Sequence, residues 1–304
     1  MHLYTHPVCL QHSAGAGHPE SPSRLTAVLA ALHAAELTHA QWHSAPPATR
    51  EQLRRVHTAA LLSLVLDLPV ADQRRIDADT VMNRDSAEAA LRAAGAMCAA
   101  VDAVVRGDTR RAFCAVRPPG HHATPTQAMG FCFLNSIAVG AAQALAVHGL
   151  TRVAIVDFDV HHGNGTQDMF WNEPRVLFAS SHQRGLYPGT GAADDRGRGN
   201  ILNAPLPPGS GGIVFRRTWS ERLLPEIDAF KPQLVLISAG FDAHRLDPLA
   251  GLMLEADDYA WITAELVALA DRHARGRIVS TLEGGYSLTA LRECSVAHVR
   301  ALMG

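Results

Sequence analysis

The stretch Val153-Ala154-Ile155-Val156-Asp157-Phe158-Asp159-Val160-His161-His162-Gly163-Asn164-Gly165 decides the fold. Val153–Val156 is an apolar, mostly β-branched run, which predicts a strand buried on both faces. Carboxylates and imidazoles follow it at once. Three other runs share that layout. Phe113–Val116 leads into Arg117-Pro118-Pro119-Gly120-His121-His122, Leu234–Ser238 into Ala239-Gly240-Phe241-Asp242-Ala243-His244, and Ile278–Leu282 into Glu283-Gly284-Gly285-Tyr286. A further apolar run spans Val176–Ala179.

Helical periodicity fills the intervals. In Ser86–Arg106, Leu91, Ala94, Met97 or Cys98, Val101 and Val104 share one face; Asp85 is placed to cap its start, with Glu88 three residues on, and Gly107 to end it. Further helices are expected at Arg24–Glu36, Arg50–Leu66, Asn135–His148, Val214–Phe230, Ala256–Arg275 and Leu288–Leu302. Apolar strands alternating with helices imply one α/β domain over residues 1–304, its parallel sheet covered on both faces. Ligands in such sheets bind beyond the carboxyl ends of the strands, so the four polar clusters are expected to converge there.

Asp157, Asp159 and His161 alternate with Phe158 and Val160. In an extended chain their side chains would point the same way. Asp159, His161 and Asp242 together make an Asp-His-Asp set suited to a divalent ion, with a position left for water. One aspartate after a strand is more often a cap or turn residue, and a lone His-His pair is common. All of these behind apolar strands in one chain argue for a metal-assisted site.

Composition sets the outer bounds. The chain has 304 residues and a formal net charge of −2, from 27 basic and 29 acidic residues, without the basic excess typical of nucleic-acid binding. Cys9, Cys98, Cys114, Cys132 and Cys294 form no C-x-x-C pair, as expected of a reducing compartment. No basic, then apolar, leader is visible at Met1–His6. The apolar stretch Phe131–Leu150 is broken by Asn135, Ser136, Gln143 and His148, and so reads as a buried helix rather than a membrane span. A cytoplasmic protein is expected, with no membrane or nucleic-acid partner and homo-oligomerisation left open.

In these clusters the chain resembles the arginase–deacetylase superfamily, and within it the class II histone deacetylases with their bacterial amidohydrolase relatives. The resemblance rests on His18–Leu25, Arg117–His122, Gly130–Asn135, Asp157–Gln167, Tyr187–Gly191, Gly240–Asp242 and Leu282–Tyr286, in the family's order along nearly the whole chain. It implies a single-domain three-layer α/β/α fold with a central eight-stranded parallel sheet. It also implies one catalytic zinc on Asp159, His161 and Asp242, and tandem histidines His121 and His122, with His122 as general base and acid. Asp157 would pair with His121 and Asn164 with His122. Class I enzymes often carry Asp at the latter position. Tyr286 would hydrogen-bond the scissile carbonyl, on a loop brought close by Gly284 and Gly285.

Further implications concern the substrate and a second ion. Phe131 and Tyr187 resemble the aromatic walls of a channel, with Gly130 at its floor or side. Potassium is implied beside the zinc, at Asp157, Asp159, His161, Ser180 and Ser181, with a second monovalent site near Phe170 and Val176. The reaction implied is removal of acetyl or short acyl groups from lysine-like amines, on a peptide or small molecule. Acetylpolyamine is the main rival substrate. Leu249 stands where polyamine-selective relatives carry an acidic residue, which tilts the reading toward acyl-lysine. An arginase-like dimanganese hydrolase fits the His121-His122 pair and Tyr286 less well. A non-catalytic acyl-lysine reader would be expected to have lost part of this set. His18, His162, His182 and His244 are left without an assigned role, and His6, His12, His33, His39, His43, His57, His148, His273 and His298 read as surface or packing residues.

Overall fold

The computed structural model describes residues Met1–Gly304. Its strands are β1 (His2–Thr5), β2 (Gln41–Ser44), β3 (Gln73–Arg75), β4 (Val81–Asn83), β5 (Arg111–Cys114), β6 (Val153–Asp157), β7 (Val176–Gln183), β8 (Ile201–Leu206), β9 (Leu234–Ala239) and β10 (Ile278–Leu282). Eight form one parallel sheet in the order β2-β1-β5-β10-β9-β6-β7-β8, while β3 and β4 make a separate antiparallel hairpin. The expected fold class is therefore what the chain adopts. Every residue of β6, β9 and β10 is buried, as their apolar sequences require.

The sheet order explains where the chemistry sits. From β6 the chain runs outward through β7 and β8, then returns to lay β9 on the opposite side of β6. The crevice between β6 and β9 is thus a point of topological reversal, where neighbouring strands send their connections in opposite directions. The register Asp157↔Ser238 aligns the ends of these strands, so Asp159 and Asp242 emerge side by side.

Helices Ser86–Arg106 and Ser136–Ala146 pack together, and Pro22–Ala34, Leu288–Met303 and Ala256–His273 form a second packed group. Three expectations are corrected. Asp85 makes no side-chain cap to the first of these helices, although Gly107 ends it in the left-handed region at φ 89°. Arg50–Leu66 is broken after Leu53, because Thr58 caps a new turn through its bond from Leu61 N. Val214–Phe230 is continuous only through a π-turn at Trp219–Leu223; Pro225, just beyond it, has no N–H for an α-helical bond.

β1, β2 and β8 were not expected as strands. The first two are short and polar, and β8 contains Pro205, tolerated because this strand lies at the sheet edge.

Gly95 shows packing overriding helix propensity. Ala there would ordinarily help a helix by about 1 kcal/mol. Here its Cβ would lie 1.9 Å from Pro46 O and 2.6 Å from Ala48 N, and Ala48 N already donates to Leu91 O on the same helix. Backbone cannot rotate away as a side chain can, so the clash should prevail by about 1–3 kcal/mol. Gly95→Ala is expected to lower the urea midpoint; a midpoint at or above wild type would contradict this packing.

Candidate metal centre and histidine dyad

β6 ends at Asp157, and the chain then turns instead of staying extended. Each carboxylate accepts a backbone N–H two residues ahead: Asp159 N donates to Asp157 Oδ1 at 3.1 Å, and His161 N to Asp159 Oδ1 at 2.9 Å. The turn separates the side chains expected to align. Asp159 and His161 face one centre, whereas Asp157 is drawn to His121.

Asp242 completes that centre. One ligand atom from each of Asp159, His161 and Asp242 lies within 4.8 Å of the others, and all three residues are buried. Remaining oxygens are taken up by main chain: Gly284 N donates to Asp159 Oδ2 at 2.8 Å and Val160 N to Asp242 Oδ1 at 2.9 Å. A Cβ at Gly240 would come within 2.0 Å of Asp159 Oδ2, and one at Gly284 within 2.0 Å of Asp242 Oδ2. Only glycine allows the backbone so near these carboxylates. No arginine or lysine bonds to either carboxylate. Buried oxygen donors of two acids plus one imidazole nitrogen form a set that fits a divalent zinc-like ion.

Beside it stand the tandem histidines, their rings 4.0 Å apart. His121 Nδ1 lies 2.9 Å from Asp157 Oδ2, and His122 Nδ1 2.8 Å from Asn164 Oδ1. Burial would lower both pKa values. At His121 the charges of Asp157 and Asp159 overcome burial and raise it to about 10. At His122 burial, reinforced by the charge of His121, holds it well below the usual value. The dyad therefore pairs a cation with a neutral imidazole. With Nδ1 of His122 donating to the Asn164 carbonyl oxygen, Nε2 keeps its lone pair.

Aromatic rings flank the dyad. Tyr187, 38 % exposed, crosses His122 at 5.1 Å, and Phe131 crosses Tyr286 at 5.9 Å. Gly130 (φ 56°) sits between, where a Cβ would meet His122 Cδ2 at 2.6 Å and Tyr187 Cε1 at 2.9 Å. The β3–β4 connection braces this wall, since Phe131 N donates to Thr80 Oγ1 at 3.1 Å. Leu249 is half-buried, on a loop described below.

The other polar positions have local partners. Ser180 and Ser181 engage His182 and Trp219 through their hydroxyls. Near Phe170 and Val176 the carbonyls of Phe170, Glu173 and Val176 all accept from Asn200 Nδ2 at 2.8–3.1 Å. A side-chain amide thus joins these three carbonyls in the region where the resemblance implied a second monovalent ion. His162 bridges Thr190 and Gln167, His182 reaches Gly191 O, His244 accepts from Leu246 N, and His18 bonds Glu20 and Asp79.

Several residues without an assigned role support the centre. Glu283 accepts from Gly120 N, His121 N and Ser238 Oγ, and burial pushes its carboxyl up to about 7. Glu20 is fully buried against Arg117, Arg24 (2.8 Å) and His12 (3.1 Å). Arg24 in turn donates to Glu283 O and Gly285 O, both at 2.5 Å, and lies 4.8 Å over the Tyr286 ring. These contacts join segments more than 250 positions apart (|i−j| of 261 and 259), which explains why local spacing gave no sign of them.

Fold and site together define a parallel α/β protein with a three-residue donor set that fits a metal and a histidine dyad at its topological reversal. Residues 18–302 match the family model described as histone deacetylase domain. The histone deacetylase-like amidohydrolase of Pseudomonas aeruginosa is 43% identical over 311 residues, spanning 100% of this chain and 82% of that protein. A probable deacetylase of Archaeoglobus fulgidus is 38% identical, spanning 98% of this chain and 85% of its own length. The solved HDA15 HD domain superposes with a TM-score of 0.93 at 36% identity, covering 99% of this chain and 87% of that one. The chain belongs to the histone deacetylase family, and deacetylase or amidohydrolase activity follows from that membership. No helix is long and apolar enough to cross a membrane.

The Glu20 cluster makes a pH-dependent prediction. Burial works against the Glu20 carboxylate, but Arg117, His12 and Arg24 hold its pKa well below the ordinary 4.5. A depressed folded value means stability present above pH 4.5 and lost as pH falls toward that value. Glu20→Gln, which strands buried guanidiniums, should cost about 3–5 kcal/mol at pH 7. In urea titrations the gap from wild type should narrow below pH 4.5. A gap that stays constant down to pH 3, on the order of one unit below that value, would refute the assignment.

Proposed function

We propose that this chain is a zinc-dependent amidohydrolase that removes acetyl or short acyl groups from lysine-like amines. The observation that carries the reading is the neutral His122, its Nε2 free, beside the buried Asp159-His161-Asp242 donor set. Zinc held by those three side chains would supply Lewis acidity toward the acyl oxygen and acidify water. Potassium at Asp157, Ser180 and Ser181, with Asp159 and His161, belongs to the same proposal and rests on the resemblance alone.

The chain's own groups do the rest. Nε2 of His122 takes the proton of the attacking water and returns it to the departing amine. Asn164 keeps that imidazole in the tautomer required, and Asp157 keeps His121 protonated, placing a positive charge beside the developing oxyanion. The Tyr286 hydroxyl donates to the acyl oxygen as charge builds there. Phe131 and Tyr187 line the approach for an aliphatic stem, with Gly130 leaving room between them. Leu249 offers a second amine no charge. The alternative, an acetylpolyamine, is favoured by Asp77 and Asp79 on the hairpin that braces Phe131.

The deciding experiment compares turnover on an acetyl-lysine peptide and on N-acetylputrescine, before and after chelation and zinc return. Chelation should abolish activity, zinc restore it, and the peptide be preferred. Tyr286→Phe should lose about 10²–10³ in kcat with unchanged zinc content. Full activity of that variant would remove the role given to Tyr286. A large preference for the polyamine would overturn the substrate choice, and a zinc-loaded protein inert toward all acylated amines would favour a reader.

A further inference from the structure

Asp247 is a 93 % buried acid (7 % exposed) that none of the steps above uses. Its Oδ2 accepts from Tyr286 N at 2.7 Å and from Ser287 N at 3.4 Å, and its Oδ1 from Leu249 N at 3.0 Å. It has no basic partner; main-chain N–H groups alone solvate it. That is an expensive way to hold a carboxylate unless the donors must be held. Ser287 caps helix Leu288–Met303, so the anion lies where that helix begins and its dipole favours negative charge.

The segment Glu283–Ser287 has no regular structure after β10, yet it is gripped on both of its polar edges. Arg24 holds the carbonyls of Glu283 and Gly285, and Asp247 holds the N–H groups of Tyr286 and Ser287. Arg24 also serves the Glu20 cluster. Asp247 serves only two loops, the one bearing Leu249 and the one bearing Tyr286. Its carboxylate is the shared fixed point of the residue facing the amine's stem and the residue facing the acyl oxygen.

We propose that Asp247 is a positioning residue that sets the place of the Tyr286 hydroxyl relative to Leu249. This rests on the amide-hydrolysis reading above. An oxyanion donor works only within about 2.7–3.1 Å of the oxygen it stabilises. A displacement of about 1 Å can cost on the order of 100-fold. Asp247→Asn keeps the shape but puts an NH2 donor against either the Leu249 N–H or the Tyr286 and Ser287 N–H groups, so the two loops must shift relative to one another.

Assays at pH 8 keep the wild-type carboxyl ionised, burial and Asp242 having raised its pKa to about 7. Asp247→Asn should lower kcat about 10–100-fold. KM should change less than about 3-fold and zinc content not at all. In a Tyr286→Phe background the same change should cost less than about 3-fold, since the group it positions is already gone. Equal losses in both backgrounds, or an unchanged kcat, would overturn the proposal. A fluorotyrosine placed at 286 reads the position without any turnover. Its 19F resonance should move or broaden in Asp247→Asn, and an unchanged resonance overturns the proposal whatever the kinetics. A moved resonance in a protein whose Tyr286→Phe variant is fully active sustains the positioning contact and sinks the hydrolysis role of Tyr286 instead. Asp247→Ser carries the same outcomes should the Asn variant not fold.

Discussion

The structure turns on burying the carboxylates of Asp159 and Asp242 side by side with no arginine or lysine bonded to either. Two like charges in a low-dielectric interior repel strongly and lose their hydration, so everything near them must supply compensation. Main-chain N–H groups from Val160, His161 and Gly284 do part of it, which is why glycines stand where side chains would strike the oxygens. A protonated His121 at 3.9 Å from Asp159 does another part. The Asp159-His161-Asp242 donor set fits a divalent cation, which would supply the remainder. The reversal of sheet order between β6 and β9 lets the two acids meet without straining either strand.

Around this centre runs a second layer of charge with a different task. Glu20, Arg117, Arg24 and His12 form a buried cluster whose members reach the tyrosine-bearing loop, the segment before the tandem histidines and the N-terminal stretch. Such a cluster is weak evidence of net stability but fixes one arrangement over its alternatives, since each broken pair would strand a buried charge. Here it ties residues near the start of the chain to Gly285 and Glu283 at the far end, so the site is assembled by the whole domain.

What the amino-acid order disclosed divides along physical lines. β6, β9 and β10 were legible because strands buried on both faces are nearly all apolar. β1 and β2 were not, because a short strand toward the sheet edge can be as polar as His2-Leu3-Tyr4-Thr5 or Gln41-Trp42-His43-Ser44. The donor set and dyad were readable as clusters of reactive side chains directly after strands. Glu283 and Asp247 escaped notice because their work is to accept backbone N–H groups, and backbone partners leave no mark on composition. Asn200 escaped for the same reason, as its three acceptors are all main-chain carbonyls. The turn after Asp157 was missed because aspartates there bond to main chain two residues on and end the strand early.

The sheet order also bears on how the polypeptide is made. β5 and β6 are consecutive in the large sheet's chain order but are not neighbours; β10 and β9 lie between them. While the ribosome has yet to finish residues from Leu234 onward, two groups of strands stand with their inner edges unpaired and apolar. Such edges are templates for pairing with other chains. The domain therefore closes late, when the C-terminal strands slot into the middle of the sheet and bring Asp242 and Tyr286 with them. Nascent chains stalled short of that point carry two of the three donors, Asp159 and His161, an open sheet, and a claim on chaperones.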